Sequence, residues 1–323
     1  MIGTIAALPA RAVEPVMAGL QRLLGTKRLP WVFLLPNLAI VALFAMLPVA
    51  INVVYSVTGG DSLYPGERHF VGLANYETLL ACENYLVPAT CTRDLFWRAV
   101  GNAAVFVPVQ VVVMIGFALA TALALNRPIR GRGFFRGIFF FPVMLSPVVV
   151  AMTWVWILQR DGALNGILGA FGFLRMSWLA DPTRAFYGSV FVTVWAHMGF
   201  YTIILLAGLQ SIPADIYEAA KMDRASPWRV LTRITLPLLK PVLLVVFILA
   251  VIRAVQTFDE IYVLTGGGPG SATKMIVHYI FETGFAAMPR NYGLAAAASF
   301  MLGAVLLAFT ALQLRISRGA RDA

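Results

Sequence analysis

Ala99-Val-Gly-Asn-Ala-Ala-Val-Phe-Val-Pro-Val-Gln-Val-Val-Val-Met-Ile-Gly-Phe-Ala-Leu-Ala-Thr-Ala-Leu-Ala-Leu125 runs for 27 residues without a charged side chain. About 20 such residues suffice to cross a bilayer as a helix, which satisfies every backbone polar group internally. The next stretch, Asn126–Arg136, is abruptly basic, with Arg127, Arg130, Arg132 and Arg136 and no acid among them. An apolar run ending in an arginine-rich turn reads as a membrane span whose basic end stays in the cytoplasm.

Five more blocks share this character: Trp31–Val57, Gly137–Leu158, Phe186–Leu209, Pro241–Leu264 and Tyr292–Leu314. Composition agrees: of 323 residues, 60% are hydrophobic and only 12% charged. A soluble domain carries about 25% charged residues, so this chain cannot clothe a soluble surface. The expectation is an all-α polytopic membrane protein with six transmembrane helices. Its membrane domain covers 30–318, between an N-terminal segment 1–29 and a short tail 319–323. Ala12–Leu24 has the pattern of a short amphipathic helix. No small-residue cleavage site follows it, so no removed signal peptide is expected.

Six spans place both termini on one side. The N-terminal segment, the 126–136 turn, the 211–240 segment and residues 315–323 after the last span hold 16 Lys and Arg residues, against 8 in the three opposite loops. The positive-inside rule then predicts cytoplasmic termini in a cell inner membrane. The net charge of +10 is scattered between apolar blocks, which argues for orientation and against nucleic acid as a partner. Cys82 and Cys91 fall in the first loop on the far side, Thr58–Arg98. That compartment permits disulfides. The loop shows no other means of ordering itself, so a bond is favoured over two free thiols. A zinc site takes about four ligands, and no metal is expected.

Catalytic signatures are missing. There is no His-Glu-x-x-His, no Gly-x-Ser-x-Gly and no phosphate-binding P-loop, and His69, His197 and His278 lie in separate segments. The sequence thus points away from an enzyme and from ATP binding by this chain.

The charged segment Ser211–Lys240 fits two short helices. Pro213 suits the first turn of one, with Asp215 and Glu218 near its positive end. Ser226-Pro227 caps the other, which is expected to stop before Pro237. Ala219 and Ala220 are small enough for another backbone to approach. The residues alone leave two readings open, a docking element or an amphipathic loop resting on the bilayer.

This segment resembles the cytoplasmic signature of permease subunits of bacterial binding-protein-dependent ABC importers. Glu218-Ala219-Ala220 and Ile234-Thr235-Leu236-Pro237 match at the family's spacing, whereas the glycine position between them is Arg224, flanked by Asp223 and Ala225. Pro142-x-x-x-Ser146-Pro147-Val148-Val149, Leu205-Ala-Gly-Leu-Gln-Ser-Ile-Pro213 and Phe258-Asp-Glu-Ile-Tyr-Val-Leu-Thr-Gly-Gly-Gly-Pro269 extend the likeness over roughly 30–318. Together they are similar to the carbohydrate-uptake branch, of the maltose and glycerol-phosphate type. The resemblance implies half of a translocation pathway, with a second, similar permease supplying the other half. It also implies two ATPase subunits, which hold ATP and Mg, and an extracytoplasmic binding protein that delivers a sugar or oligosaccharide. Glu218, Ala219, Ala220, Asp223 and Arg224 would then form the coupling helix and turn seated on the ATPase. Arginine does not take a left-handed turn as cheaply as glycine, so three readings are open: the turn is remodelled, the first helix runs on through Arg224, or the Arg224 charge meets an acidic residue of the partner.

Polar residues inside spans mark pathways as well as interhelical contacts. His197 and Tyr201 share a helix face, with Trp195 nearby. Arg253 and Gln256 in the fifth span and Asn102 in the second complete the candidate cargo contacts, while Asp259 and Glu260 are assigned to gating or structure. Two alternatives stand beside the sugar reading. One is an anionic cargo such as a polyol phosphate, with which Arg253 is compatible. The other is an ion-coupled secondary transporter, although no internal repeat is evident.

Overall fold

The computed structural model describes residues 7–319. The first six residues of the N-terminal segment and 320–323 of the tail therefore lie outside the described residues. Residues up to Tyr55 form one unit and Ser56 onward a second. In the first, the helix Ala7–Val41 contains the expected Ala12–Leu24 segment and turns at Gly25, where φ is 70°. From there the first span, α1 (Gly25–Ser56), continues through a π-helical turn at Ala42–Met46.

The second unit contains α2 (Ala74–Leu80), α3 (Asp94–Asn126), α4 (Arg132–Phe140), α5 (Pro147–Leu158), α6 (Ala163–Ala170) and α7 (Pro182–Gln210). It continues with α8 (Ala214–Met222), α9 (Pro227–Val255), α10 (Asp259–Thr265), α11 (Ile276–Phe281) and α12 (Tyr292–Gly319). Among the described residues, extended structure is limited to isolated bridges. Helices α1, α3, α7, α9 and α12 are long and apolar enough to cross a bilayer, and the bent pair Arg132–Met144 and Pro147–Ala170 makes a sixth candidate when taken as one span.

Three expectations need correction. The third span is not one helix. It breaks between Met144 and Pro147, and its two arms diverge by 100°. Pro147 holds Ser146 extended, at φ −61° and ψ 137°, because a residue before proline is sterically pushed out of the helical region. The helix that carries the fifth span starts at Pro227, ahead of the apolar run, and ends at Val255, with a break before α10. Phe258 leaves helical geometry there, at φ −139° and ψ −60°. Finally, the helix begun at Pro227 does not stop before Pro237. A π-helical turn at Leu231–Thr235 precedes the proline, and the Leu236 N–H reaches back to the Leu231 carbonyl. The widened turn makes room for a ring that would clash in a regular helix.

The main core lies where α3, α7 and α9 meet, around Phe106, Met114, Leu205, Leu209, Leu239 and Val246. A second cluster joins α5, α7 and α10 through Val150, Leu158, Val192, Ala196 and Leu264. Gly199 allows α7 to approach the bent third span: a Cβ there would lie 2.0 Å from the Phe139 carbonyl oxygen.

The first loop is ordered by more than its cysteines. Arg68 is buried and donates to Thr58 Oγ1 at 2.9 Å, to the Gly60 carbonyl at 3.0 Å and to the Ser62 carbonyl at 2.7 Å. Asn75 Nδ2 donates to the Ser56 and Thr58 carbonyls. The sulfurs of Cys82 and Cys91 lie at bonding distance, 2.06 Å.

Candidate functional site

The 211–240 segment projects from the end of α7. Pro213 precedes α8, Asp215 sits in its first turn and Lys221 in its last, so the charges complement the helix dipole at both ends. The turn after α8 settles the question posed by Arg224. Its N–H bonds the Lys221 carbonyl and the Ala225 N–H bonds the Ala220 carbonyl, both at 3.0 Å. This is the paired bonding that closes a helix through a left-handed residue, and Arg224 takes that position with φ 51°. The turn is thus neither remodelled nor overrun. Ser226 Oγ then accepts from the Arg229 N–H, capping the start of α9. The Tyr217 and Thr235 hydroxyls meet at 3.3 Å and brace the two arms.

Of the five docking residues, Glu218, Ala219, Asp223 and Arg224 are exposed, whereas Ala220 is buried within the chain. Ala220 therefore faces inward and does not share an outer packing face with Ala219, because adjacent positions on a helix point about 100° apart. Two residues missed from sequence join the outer face: Met222 is 84% exposed and Trp228 is 73% exposed. Large apolar side chains in water beside a charged turn mark a surface suited to a partner. Behind them is a cleft of about 720 Å3 bordered by Arg127, Tyr217, Lys221 and Trp228.

Within the span region, the structure brings together only some of the candidates. Arg253, in the last turn of α9, donates through Nη2 to Glu260 Oε1 at 2.9 Å. The same nitrogen lies 2.7 Å from His197 Nε2 on α7. His197 Nδ1 is 2.9 Å from the Thr193 carbonyl. A carbonyl can only accept, so Nδ1 carries the proton and Nε2 accepts from Arg253, which makes the imidazole neutral. Glu260 was not expected among the contacts. Spacing along the chain could not have found it, because the break between α9 and α10 removes the helical register that would align residues seven apart.

The remaining candidates separate. Tyr201 is buried in the α3–α7–α9 core, although it lies one turn from His197. Trp195 packs edge-on against Trp154 of α5, with ring centroids 5.5 Å apart. Asn102 Nδ2 donates to the Ser271 and Lys274 carbonyls at 2.6 and 3.0 Å, anchoring the loop after α10. Gln256 is exposed at the α9–α10 break.

Residues 112–322 match the family described as binding-protein-dependent transport system inner membrane component. The chain is 38% identical over 299 residues to a trehalose/maltose transport system permease protein of Thermococcus litoralis, covering 91% of this chain and 95% of that one. It is 32% identical to a lactose transport system permease protein of Rhizobium radiobacter, over 89% and 93% of the two chains. An sn-glycerol-3-phosphate transport system permease protein of Agrobacterium fabrum is 31% identical, over 90% and 94%. The fold matches a bacterial ABC transporter involved in the import of the acidic polysaccharide alginate, with a TM-score of 0.78, 24% identity and coverage of 93% and 98%. The exposed turn after Glu218, the broken spans and these likenesses agree, and the chain belongs to the family of binding-protein-dependent transport system inner membrane components, the non-enzymatic permease subunits of ABC importers.

Proposed function

We propose that this permease forms half of a pathway for an uncharged sugar or oligosaccharide, paired with a second, similar permease. An extracytoplasmic binding protein delivers the cargo. Two ATPase subunits, holding ATP and Mg, drive the cycle from the cytoplasm, where both termini lie. The observation that carries the coupling role is the exposed turn of Glu218, Ala219, Asp223 and Arg224, flanked by Met222 and Trp228, at the junction of two spans. A movement imposed on α8 passes directly into α7 and α9, because few residues separate it from either. The trehalose/maltose and lactose relatives support sugar as cargo. The glycerol-3-phosphate relative keeps an anionic cargo in view, but Arg253 has its charge balanced by Glu260, which favours neutral cargo. Ion coupling finds no support in these relatives.

The test is co-expression with candidate ATPase and binding-protein chains, purification, and uptake into vesicles of radiolabelled maltose, trehalose, lactose and glycerol 3-phosphate. ATP-dependent uptake of a neutral sugar is expected. Uptake of glycerol 3-phosphate alone would transfer the chain to the anionic reading, and failure to retain any ATPase would sink the coupling role.

A further inference from the structure

The cluster of His197, Arg253 and Glu260 is built from residues on three helices around a break in a span. Arg253 closes α9 and Glu260 opens α10, so each charge sits at the helix end whose dipole favours it. Their exposures differ sharply. The Glu260 side chain is 1% exposed and that of Arg253 is 34% exposed. Glu260 Oε2 is buried without a hydrogen-bond partner; among the described residues Arg253 supplies the full positive charge against the carboxylate, and the neutral His197 ring lies 3.4 Å from Oε1. Arg253 makes both contacts through Nη2 alone, and a third of its side chain is exposed. The cluster therefore hides its acceptor and presents hydrogen-bond donors, with a net charge of zero once His197 is neutral.

We propose that Glu260 is a specificity-determining residue, which by neutralising Arg253 makes the site read sugar hydroxyls and reject any advantage for an anion. Hydroxyl oxygens accept from guanidinium N–H groups without needing a counter-charge. An anion would gain strongly from an unbalanced guanidinium in a poorly solvated site, but here the carboxylate already occupies that role. His197 holds the guanidinium from the opposite side and is a positioning residue. This inference rests on the transport reading above, and it assigns the cargo charge class to one buried carboxylate in this chain.

The experiment uses the assembled importer in lipid nanodiscs with the binding protein left out, so that the pathway itself is probed. Saturation-transfer NMR reads weak binding of maltose and of glucuronate. Wild type is expected to bind maltose in preference. Glu260→Gln keeps an acceptor near Arg253 but removes the charge, and should shift the preference toward glucuronate by about tenfold or more. The double variant Arg253→Gln/Glu260→Gln carries neither charge, avoids an unpaired buried ion and should lose the glucuronate gain. A purely structural role would weaken both ligands alike and would not be reversed by the second substitution. An unchanged preference in Glu260→Gln, or a glucuronate gain that persists in the double variant, overturns the proposal. If wild type binds neither sugar while vesicle uptake proceeds, the site assignment falls and the transport reading stands. Absence of uptake in the complete wild-type importer would overturn the transport reading itself.

Discussion

The Ala225 N–H donates to the Ala220 carbonyl at 3.0 Å, and the two can meet only because Arg224 between them turns left-handed, with φ 51°. A side chain in that region costs about 1–2 kcal/mol relative to the right-handed one, and glycine avoids the clash. Arg224→Gly should therefore stabilise this helix end by about 1 kcal/mol. Hydrogen exchange of the Ala225 amide is the measure. Slower exchange is expected, and faster exchange would mean that the arginine side chain, not the turn, holds the segment together.

Glu218 is the residue on which ATPase docking is expected to depend most. Removing one partner of a desolvated charged contact typically costs about 2–5 kcal/mol, because the other is left unpaired. A solvent-exposed charge on a loop resting at the membrane surface is worth less than about 1 kcal/mol. Glu218→Ala should thus reduce ATPase retention during purification and uncouple hydrolysis from uptake, with normal insertion of the spans. Full retention with wild-type transport would remove Glu218 from the docking role.

Gly199 carries the close approach of α7 to the bent third span. The nearest atom to an added Cβ is the Phe139 carbonyl oxygen, a backbone atom that cannot swing away. Gly199→Ala is expected to destabilise by about 1–3 kcal/mol through forced separation of the two elements. Gly303→Ala, with nothing within 4 Å of the added carbon, is the comparison and should not show this loss. Thermal unfolding of the detergent-solubilised protein reads both.

Helix α11 should make stability depend on pH. His278 is 1% exposed; its ring nitrogens make no hydrogen bond, and Glu282 Oε1 lies 3.5 Å from its Nε2. Burial pushes its pKa below the ordinary 6.5, Lys274 adds to the lowering and Glu282 opposes it. The folded state therefore resists a proton that the unfolded chain accepts. The stabilising contribution is whole above 6.5 and is lost as pH falls below it, at about 1.4 kcal/mol for each unit by which the folded value is lowered. His278→Phe should flatten the acid side of a melting-temperature profile measured between about pH 5 and pH 7.5. An equally steep acid limb in that variant would assign the dependence to other groups.

Orientation is tested with a tag at each end. The basic turn of Arg127, Arg130, Arg132 and Arg136 and the segment holding Lys221, Arg224, Arg229, Arg233 and Lys240 should both stay inside. Tags on either terminus should then be protected from membrane-impermeant reagents in intact cells. Labelling before permeabilisation would reverse the topology.

The sequence by itself determined the membrane class, the approximate positions of the spans and the local design of the 211–240 segment. Apolar length is additive along a chain, and the Pro213 start and Ser226 cap depend only on immediate neighbours. The missing glycine at Arg224 was equally legible, but only the folded backbone decided that the turn survived it. The two prolines show why. Pro147, which follows a serine as Pro227 does, begins a new helix after a 100° bend, while Pro237 is passed by a π-helical turn, and the direction taken after the first break is not local information. The faces of the spans were also hidden. A helix apolar all round carries no stripe to say which side is packed, so only the neighbouring helices decided that Tyr201 enters the core while His197 meets Arg253. Asn102 lay beyond reach for the same reason, since its partners Ser271 and Lys274 stand far along the chain. Tertiary packing alone brought the buried Glu260 to Arg253, because an ion pair across a helix break depends on the direction each half takes.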